Sequence, residues 1–355
     1  MSSRTLLVPG TQATTLQDQT HRIVYNPVAM GLPLFPKDLG GYPPAEWAAL
    51  LSMTYAPGKL QPTQTSRLPG TTISPYVMVS SAYQPMLAYD SWPYDWRADI
   101  EANGLALLGE VRARYAAGGS VNLVGHSQGG LLIVAASQLS SPGEFARMVG
   151  EVVLVGAPLA GTMRAAEALI FGSNNLGAQY TQVARQMART WPALYQMLPA
   201  FPAVVGPDGK PLPDDHQLTS LQGWPAGWND GISQDMLNRA RRVQTMLRTP
   251  MKELPADRTI IILGTQQTTP VTVGRDATGF TKIATKANAG DTLVPFAATL
   301  ALDSSPAFQN AVLPVGAGIR PHAELCNDPT VSTLVNKLVR SAPVQAPRPS
   351  AAPHS

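Results

Sequence analysis

The chain has 355 residues, 44% of them hydrophobic and 14% charged, with 26 Lys plus Arg against 23 Asp plus Glu and a formal net charge of +3. That is a globular composition with ample chain for a large core. The charge excess is too small to argue for nucleic acid, and no basic stripe interleaves with aromatics. Cys326 is the only cysteine, which excludes an internal disulfide and leaves a buried small hydrophobe as its expected role.

Residues 5–8, Thr-Leu-Leu-Val, predict a strand that ends in Pro9-Gly10-Thr11-Gln12. The segment before them lacks the apolar core and small-residue cleavage site of a secretory signal. No apolar run approaches the ~20 residues needed to span a bilayer. The expected location is therefore cytoplasmic as synthesised, with a leaderless export route left open.

The 33 prolines point to long irregular connections. Residues 25–70 fit that description, with one short helix expected over 45–53. Their dense apolar residues suit either a loop near the site mouth that helps bind an apolar substrate or a simple cover for the core. Short strands are expected at 76–80 and 86–89, leading into Ser91-Trp-Pro-Tyr-Asp-Trp-Arg97. Asp95 and Arg97 there read as an ion pair that fixes the loop, a structural role rather than a catalytic one. Residues 98–116 are amphipathic at helical spacing, with Ile100, Leu105, Leu107, Leu108 and Val111 available for burial.

Residues 121–124, Val-Asn-Leu-Val, then form a short buried strand. Gly125-His-Ser-Gln-Gly129 follows, and the apolar run 131–136 suits a helix. Strand, tight turn and helix around Gly-x-Ser-x-Gly is the context of a nucleophile elbow, which presents a strained, exposed serine. On such an α/β-hydrolase fold, with a mostly parallel central sheet and helices on both faces, one oxyanion N–H comes from the loop after an early strand. Thr11 fits that place. The other comes from the residue after the nucleophile, Gln128.

Residues 151–155 predict another buried strand, closed by Gly156-Ala-Pro-Leu-Ala-Gly-Thr162. The strand rhythm then stops until about residue 255, with helical patterns at 163–171, 178–191 and 234–247 and a turn-rich stretch at 202–231. An insertion of about 90 residues is too long for a loop and reads as a helical cap. The expected division is a core of 1–160 and 256–340, a cap of 161–255, and a disordered Pro/Ala/Ser-rich tail of 341–355. The cap holds Trp191, Trp224 and Trp228, half of the six tryptophans, which suits a lipid-like substrate, though packing within the cap explains the same residues. Strands are expected again at 259–263, 282–287 and 311–315, and a closing helix at 331–339.

A serine hydroxyl needs a base within reach and an acid that orients the base. On this fold the order is Ser, then Asp or Glu, then His. Of five histidines, His21 precedes the nucleophile, His126 adjoins it with its side chain pointing elsewhere, His216 falls in the cap and His354 in the tail. His322 remains, after the last strand. Asp291, in Gly290-Asp-Thr-Leu-Val-Pro295, is the preferred acid over Asp303 and Asp276. Ser127, Asp291 and His322 would then be catalytic, with Thr11 and Gln128 holding the oxyanion at ~3 kcal/mol per donor. Tyr94, Trp96, Trp191 and Tyr195 are candidate substrate contacts. No metal or cofactor motif is present: no His-Glu-x-x-His, no calcium loop, no phosphate or dinucleotide fingerprint.

These pieces together resemble the lecithin:cholesterol acyltransferase-like branch of the α/β-hydrolases, which includes lysosomal phospholipase A2 and bacterial relatives. The matching stretches are Leu7-Val-Pro-Gly10, Tyr94-Asp-Trp-Arg97, Gly125-His-Ser-Gln-Gly129, Gly156-Ala-Pro158 and Gly290-Asp-Thr-Leu-Val-Pro295. Trp191-Pro-Ala-Leu-Tyr-Gln-Met-Leu-Pro199 is similar to a cap segment of bacterial members. The resemblance implies a serine acyl-ester hydrolase of lipase or phospholipase type, or an acyltransferase, working on a lipid or other apolar ester with transient contact to a membrane surface. It also matches Ser127, Asp291 and His322 to the triad, and Thr11 and Gln128 to the oxyanion donors. The chain departs from secreted mammalian members in lacking their disulfides and their cysteine at the position of Thr11, so sterol or lipoprotein specificity does not carry over. Two other readings stay open: a small-ester or polyester hydrolase, and a non-catalytic binding module on the same fold.

Overall fold

The computed structural model describes residues 5–17, 23–25, 49–53, 61–65, 86, 89–172, 181–248, 253–316 and 318–341. Its frame is a six-stranded, all-parallel sheet. In chain order the strands are β1 (Thr5–Val8), β5 (Asp90–Ser91), β6 (Val121–His126), β7 (Val149–Val155), β9 (Thr259–Gly264) and β12 (Val312–Val315). In space they run β12-β9-β7-β6-β1-β5. Sheets of this kind are covered on both faces, so their central strands read as unbroken apolar runs. Every residue of β1 and β6 is buried, which is why the runs at 5–8 and 121–124 were legible as strands. The expected strand at 86–89 lies one step later: the Tyr89 N–H closes a turn onto the Met86 carbonyl at 3.0 Å, and Asp90–Ser91 pairs with Leu6 and Leu7 instead. The strand expected at 76–80 lies outside the described residues.

Helix α1 (Ile100–Gly118) crosses from β5 to β6. Asp99 caps it, its carboxylate accepting from the Ala102 N–H at 2.9 Å. Four of the five residues expected inside are buried, but Leu105 is 55% exposed and Gly104 takes the inward position. A Cβ on Gly104 would lie 2.6 Å from the Ala135 Cβ of helix α2 (Gln128–Leu139). The two helices approach so closely that only glycine fits there, and one residue further round the turn Leu105 faces solvent. Helix α2 is almost wholly buried between the sheet and its neighbours.

After β7 the chain leaves the sheet through helices α4 (Met163–Ile170), α5 (Thr181–Ala188), α6 (Pro192–Gln196) and α7 (Gln234–Leu247); α3 (Glu144–Met148) precedes β7. This segment is tied to the sheet side by a buried knot. The Gln196 amide donates to the Asp99 carboxylate and accepts from the Ile100 N–H at 2.7 Å, and Arg239 on α7 pairs with Asp99. The segment also supplies β8 (Val204–Val205), which pairs in parallel with β10 (Gln267–Asp276). Strand β10 forms an antiparallel hairpin with β11 (Gly279–Gly290), giving a second sheet, β11-β10-β8. The strand expected at 282–287 is thus the middle of a longer hairpin arm. Strand β10 escaped notice because Pro270 and Gly274 interrupt it and its burial does not alternate cleanly.

A third, antiparallel sheet, β3-β2-β4, joins β2 (Thr14–Gln17), β3 (Ile23–Tyr25) and β4 (Gln61–Thr65), of which β4 falls within the stretch 25–70 expected to be irregular. Of the helix expected at 45–53, the described part is one turn at 49–51. Helices α8 (Phe296–Leu300), α9 (Pro306–Ala311) and α10 (Pro329–Ser341) complete the chain; residues 342–355, expected as a tail, lie outside the described residues. Cys326 is buried against Leu325, Val331 and Val335, and burial pushes its thiol up, so it serves as the small hydrophobe its surroundings call for. No described helix is long and apolar enough to cross a membrane.

Candidate active site

Ser127 stands at the tip of the turn from β6 to α2 with φ 53° and ψ −126°. A non-glycine residue is held in such a conformation only where its surroundings force it. Here they do: the Ser127 N–H donates to the Val155 carbonyl at 2.9 Å, and the Gly130 N–H donates back to the Ser127 carbonyl at 3.0 Å. Gly129 is obligatory, since a Cβ there would sit 2.1 Å from the Val8 carbonyl oxygen. The glycines of Gly-x-Ser-x-Gly thus let α2 press against β1 as well as β6.

His322 opens a 3-10 turn (His322–Asn327) after β12, and Asp291 follows β11. The structure brings both to Ser127. His322 Nε2 lies 2.9 Å from the Ser127 Oγ, and His322 Nδ1 lies 2.7 Å from the Asp291 Oδ2. All three are buried, with Asp291 fully so. The second Asp291 oxygen accepts from the N–H groups of Val294 at 2.8 Å and Leu293 at 3.1 Å, and the Asp291 carbonyl accepts from the His322 N–H at 2.8 Å. Burial alone would push the Asp291 carboxyl up. The positive charge available on His322, its ring hydrogen bond and the two backbone donors outweigh that and hold it below the ordinary carboxylate value.

The loop that presents Asp291 is braced from both sides. Thr292 has φ 87°, unusual for a β-branched residue, and its N–H donates to the buried Thr269 hydroxyl on β10 at 3.0 Å. The Thr162 hydroxyl donates to the Leu293 carbonyl at 2.7 Å while accepting from the Arg164 N–H as the N-cap of α4. Gly156 has φ +59°, and a Cβ on it would stand 3.1 Å from both the Asp291 Oδ2 and the His322 ring. Of the rival carboxylates, Asp276 accepts from the Thr278 N–H and hydroxyl in the β10–β11 turn and Asp303 accepts from the Ser305 N–H. His216 is paired with Asp215 at the surface; His21 and His354 lie outside the described residues.

Thr11 and Gln128 are also brought together: the Thr11 hydroxyl donates to the Gln128 amide oxygen at 2.8 Å, and the Gln128 amide donates to the Trp96 carbonyl at 3.1 Å. Gln128 is the first residue of α2, where a helix leaves its N–H groups without intrahelical acceptors and its dipole favours negative charge. Gly10 packs beside Ser127, since a Cβ on it would lie 3.0 Å from the Ser127 Cβ.

The four aromatic candidates are placed differently. Tyr94, Trp96, Trp191 and Tyr195 are all buried, with 5% exposure or less, and each spends its polar atom on the backbone. Tyr94 donates to the Pro9 carbonyl, Trp96 to that of Thr14, Trp191 to that of Leu51 and Tyr195 to that of Arg189. Trp96 and Trp191 meet edge to face at 5.0 Å. These contacts tie the loop after β1 and the turn at 49–51 to the segment after β7. The expected pair between Arg97 and Asp95 is present at 2.7 Å with Arg97 fully buried, and Arg97 also donates to the Leu51 carbonyl at 2.9 Å.

His126, expected from its place beside Ser127 to point elsewhere, packs against His322. Its Nε2 is 3.0 Å from the His322 carbonyl oxygen and its ring lies against the His322 ring, with centroids 5.0 Å apart. Among the described residues, no group of three or more His, Cys, Asp or Glu could hold a metal ion.

An all-parallel sheet with a strained serine between its β6 strand and a buried helix, and with an aspartate and a histidine brought to it on loops after later strands, is the α/β-hydrolase fold. The family model for lecithin:cholesterol acyltransferase matches residues 76–223, so the resemblance read from the motifs holds over the stretch with the serine turn. Asp291 and His322 lie beyond that match and rest on the geometry. Among solved structures, a chain of the Tle4–Tli4 complex is 15% identical, with a TM-score of 0.65, over 96% of this chain and 99% of that one; what is shared at that identity is the fold. Bacillus licheniformis lipase BlEst2 in mature form is 12% identical over 94% of this chain and 90% of that one, with a TM-score of 0.42. A comparison with curated proteins finds no match.

Proposed function

We propose that the chain is a serine acyl-ester hydrolase acting on lipid esters through an acyl-enzyme on Ser127. The observation that carries the reading is the unbroken chain from Ser127 Oγ through the His322 ring to the Asp291 carboxylate, at 2.9 and 2.7 Å. His322 takes the Ser127 proton as the hydroxyl attacks the ester carbonyl, and returns it to the leaving alcohol. Asp291 holds the Nδ1–H tautomer and stabilises the imidazolium. The N–H groups of Thr11 and Gln128 receive the oxyanion, and water or an acceptor alcohol releases the acyl group.

In this reading residues 161–255 act as a cap over a core of 1–160 and 256–340, and Tyr94, Trp96, Trp191 and Tyr195 shape the site by holding its walls rather than by touching substrate. The match to the acyltransferase family model favours an apolar ester met at a lipid surface. The test is hydrolysis of p-nitrophenyl esters of increasing chain length and of phosphatidylcholine vesicles by wild type and Ser127→Ala. Turnover that grows with chain length or on vesicles and vanishes in the variant supports the lipid reading. Turnover confined to short esters makes the chain a small-ester hydrolase, and none from folded protein makes it a binding module.

A further inference from the structure

His126 is a buried imidazole that the Ser–His–Asp mechanism does not use. It is only 4% exposed, and its Nε2 faces the His322 carbonyl at 3.0 Å. A carbonyl oxygen only accepts, so the proton must sit on His126 Nε2. On its other side a Cβ on Gly10 would come within 3.1 Å of the His126 Nδ1. The ring is therefore wedged between the loop that carries Thr11 and the residue proposed as base.

This contact closes a small circuit. Ser127 and His322 meet directly through Oγ and Nε2 at 2.9 Å. They meet again through His126, which is bonded covalently to Ser127 and by hydrogen bond to the His322 backbone. One contact sets the distance between nucleophile and base; two set the tilt of the imidazole as well. Proton transfer is sensitive to such alignment, because a misplacement of about 1 Å can cost 100-fold.

We propose that His126 is a positioning residue for His322, its Nε2–H holding the His322 carbonyl so that the base faces Ser127. The inference rests on the serine-hydrolase reading above. Among the described residues, His322 and Asp291 are titratable groups that act on His126. Burial, reinforced by the charge on His322, pushes His126 down to about 3, with the hydrogen bond to the His322 carbonyl and then Asp291 pulling the other way. His126 is thus a neutral donor, and it places no second positive charge beside a base that must itself gain a proton.

The test compares His126→Phe, which keeps a ring and loses the donor, with His126→Gln, which keeps an N–H. Three quantities are read: kcat and KM on a p-nitrophenyl ester, the rate at which a fluorophosphonate labels Ser127, and the melting temperature. The Phe variant should lose ~10–100-fold in kcat and labelling rate, the range found when residues that orient reactive groups are removed, with KM nearly unchanged. The Gln variant should recover a large part of that loss. A folded Phe variant as active as wild type overturns the proposal, as does a Gln variant as impaired as Phe.

Imidazole nitrogen NMR of Ser127→Ala gives a second reading that needs no turnover and no further substitution. One histidine should stay neutral with its proton on Nε2 from pH 8 to about 4.5, beside another that carries its proton on Nδ1. Absence of that Nε2–H signal overturns the proposal. Wild type that neither cleaves esters nor takes the label overturns the serine-hydrolase reading instead, which the Phe and Gln comparison alone would not do.

Discussion

The Thr162 hydroxyl donates to the Leu293 carbonyl at 2.7 Å and thereby joins the first turn of α4 to the loop that carries Asp291. The same oxygen caps α4 by accepting from the Arg164 N–H at 3.2 Å. The start of the segment after β7 and the loop that carries Asp291 are therefore held by one atom.

Thr162→Ala removes both bonds. Loss of an N-cap typically costs about 1 kcal/mol, and the freed Leu293 carbonyl should loosen the Asp291 loop. Urea denaturation should show a loss of that order and kcat a fall of several-fold, while Thr162→Ser keeps both. Equal kcat in the Ala and Ser variants would separate the cap from the site.

Gly156 lies under the His322–Asp291 pair with φ +59°. An alanine there must adopt a left-handed conformation, at about 1–2 kcal/mol, and put its methyl against both side chains. Gly156→Ala should lose activity far beyond its loss of stability, measured as kcat beside the denaturation midpoint. Gly209 also has a positive φ but has nothing within 4 Å of an added Cβ. Gly209→Ala should show a comparable stability loss with kcat intact.

The buried His126 and Asp291 both make the fold acid-sensitive. The His126 value falls from 6.5 to about 3 on folding, so the unfolded chain binds more protons between those values. Stability is fully present above pH 6.5 and is lost as pH falls through that window, by at most about 1.4 kcal/mol per pH unit. The Asp291 value is also lowered by folding, so its contribution is present above the ordinary carboxylate value and is lost as pH falls through the folded one. Urea midpoints between pH 7 and 4 should decline in wild type and decline less in His126→Gln. Asp291→Asn should abolish most of kcat, a loss of order 10⁴ where the equivalent change leaves a triad histidine in the wrong tautomer.

Gly104 and Leu105 should differ sharply in how much a substitution costs. The Ala135 Cβ stands 2.6 Å from where a Gly104 Cβ would be, so Gly104→Val overpacks the α1–α2 contact and should cost about 1–3 kcal/mol. Leu105 is mostly exposed, and Leu105→Gln should change stability by no more than about 0.5 kcal/mol. Thermal melts of the two variants check the pair.

Gly104 also shows where the sequence was readable. Apolar spacing announced α1, but it assigned Leu105 inward because a large apolar residue is the ordinary occupant of a buried face. The need for glycine arises only from the closeness of α2. Strands β6, β7 and β9 were legible because strands buried on both faces are runs of apolar residues. Strands β4, β5 and β10 were not: β4 and β10 are polar or interrupted by proline, and β5 is two residues long. Ser127 stood out through its turn, and His322 through the exclusion of four other histidines. The hydrogen bond of His126 to a backbone carbonyl 196 residues away leaves no pattern in the chain, and neither does the bracing of Asp291 by Thr162 and Thr269.

Trapping the acyl-enzyme tests the role of Ser127 without depending on any assumed substrate. The protein would be mixed with a p-nitrophenyl ester, quenched in acid within the first turnovers, digested and weighed. An acyl mass increment is expected on the peptide containing Ser127 in wild type, with a far smaller one in His322→Ala, where the base for attack is missing, and none in Ser127→Ala. Unimpaired ester turnover in folded Ser127→Ala, or an acyl group found on a different residue, would contradict that role.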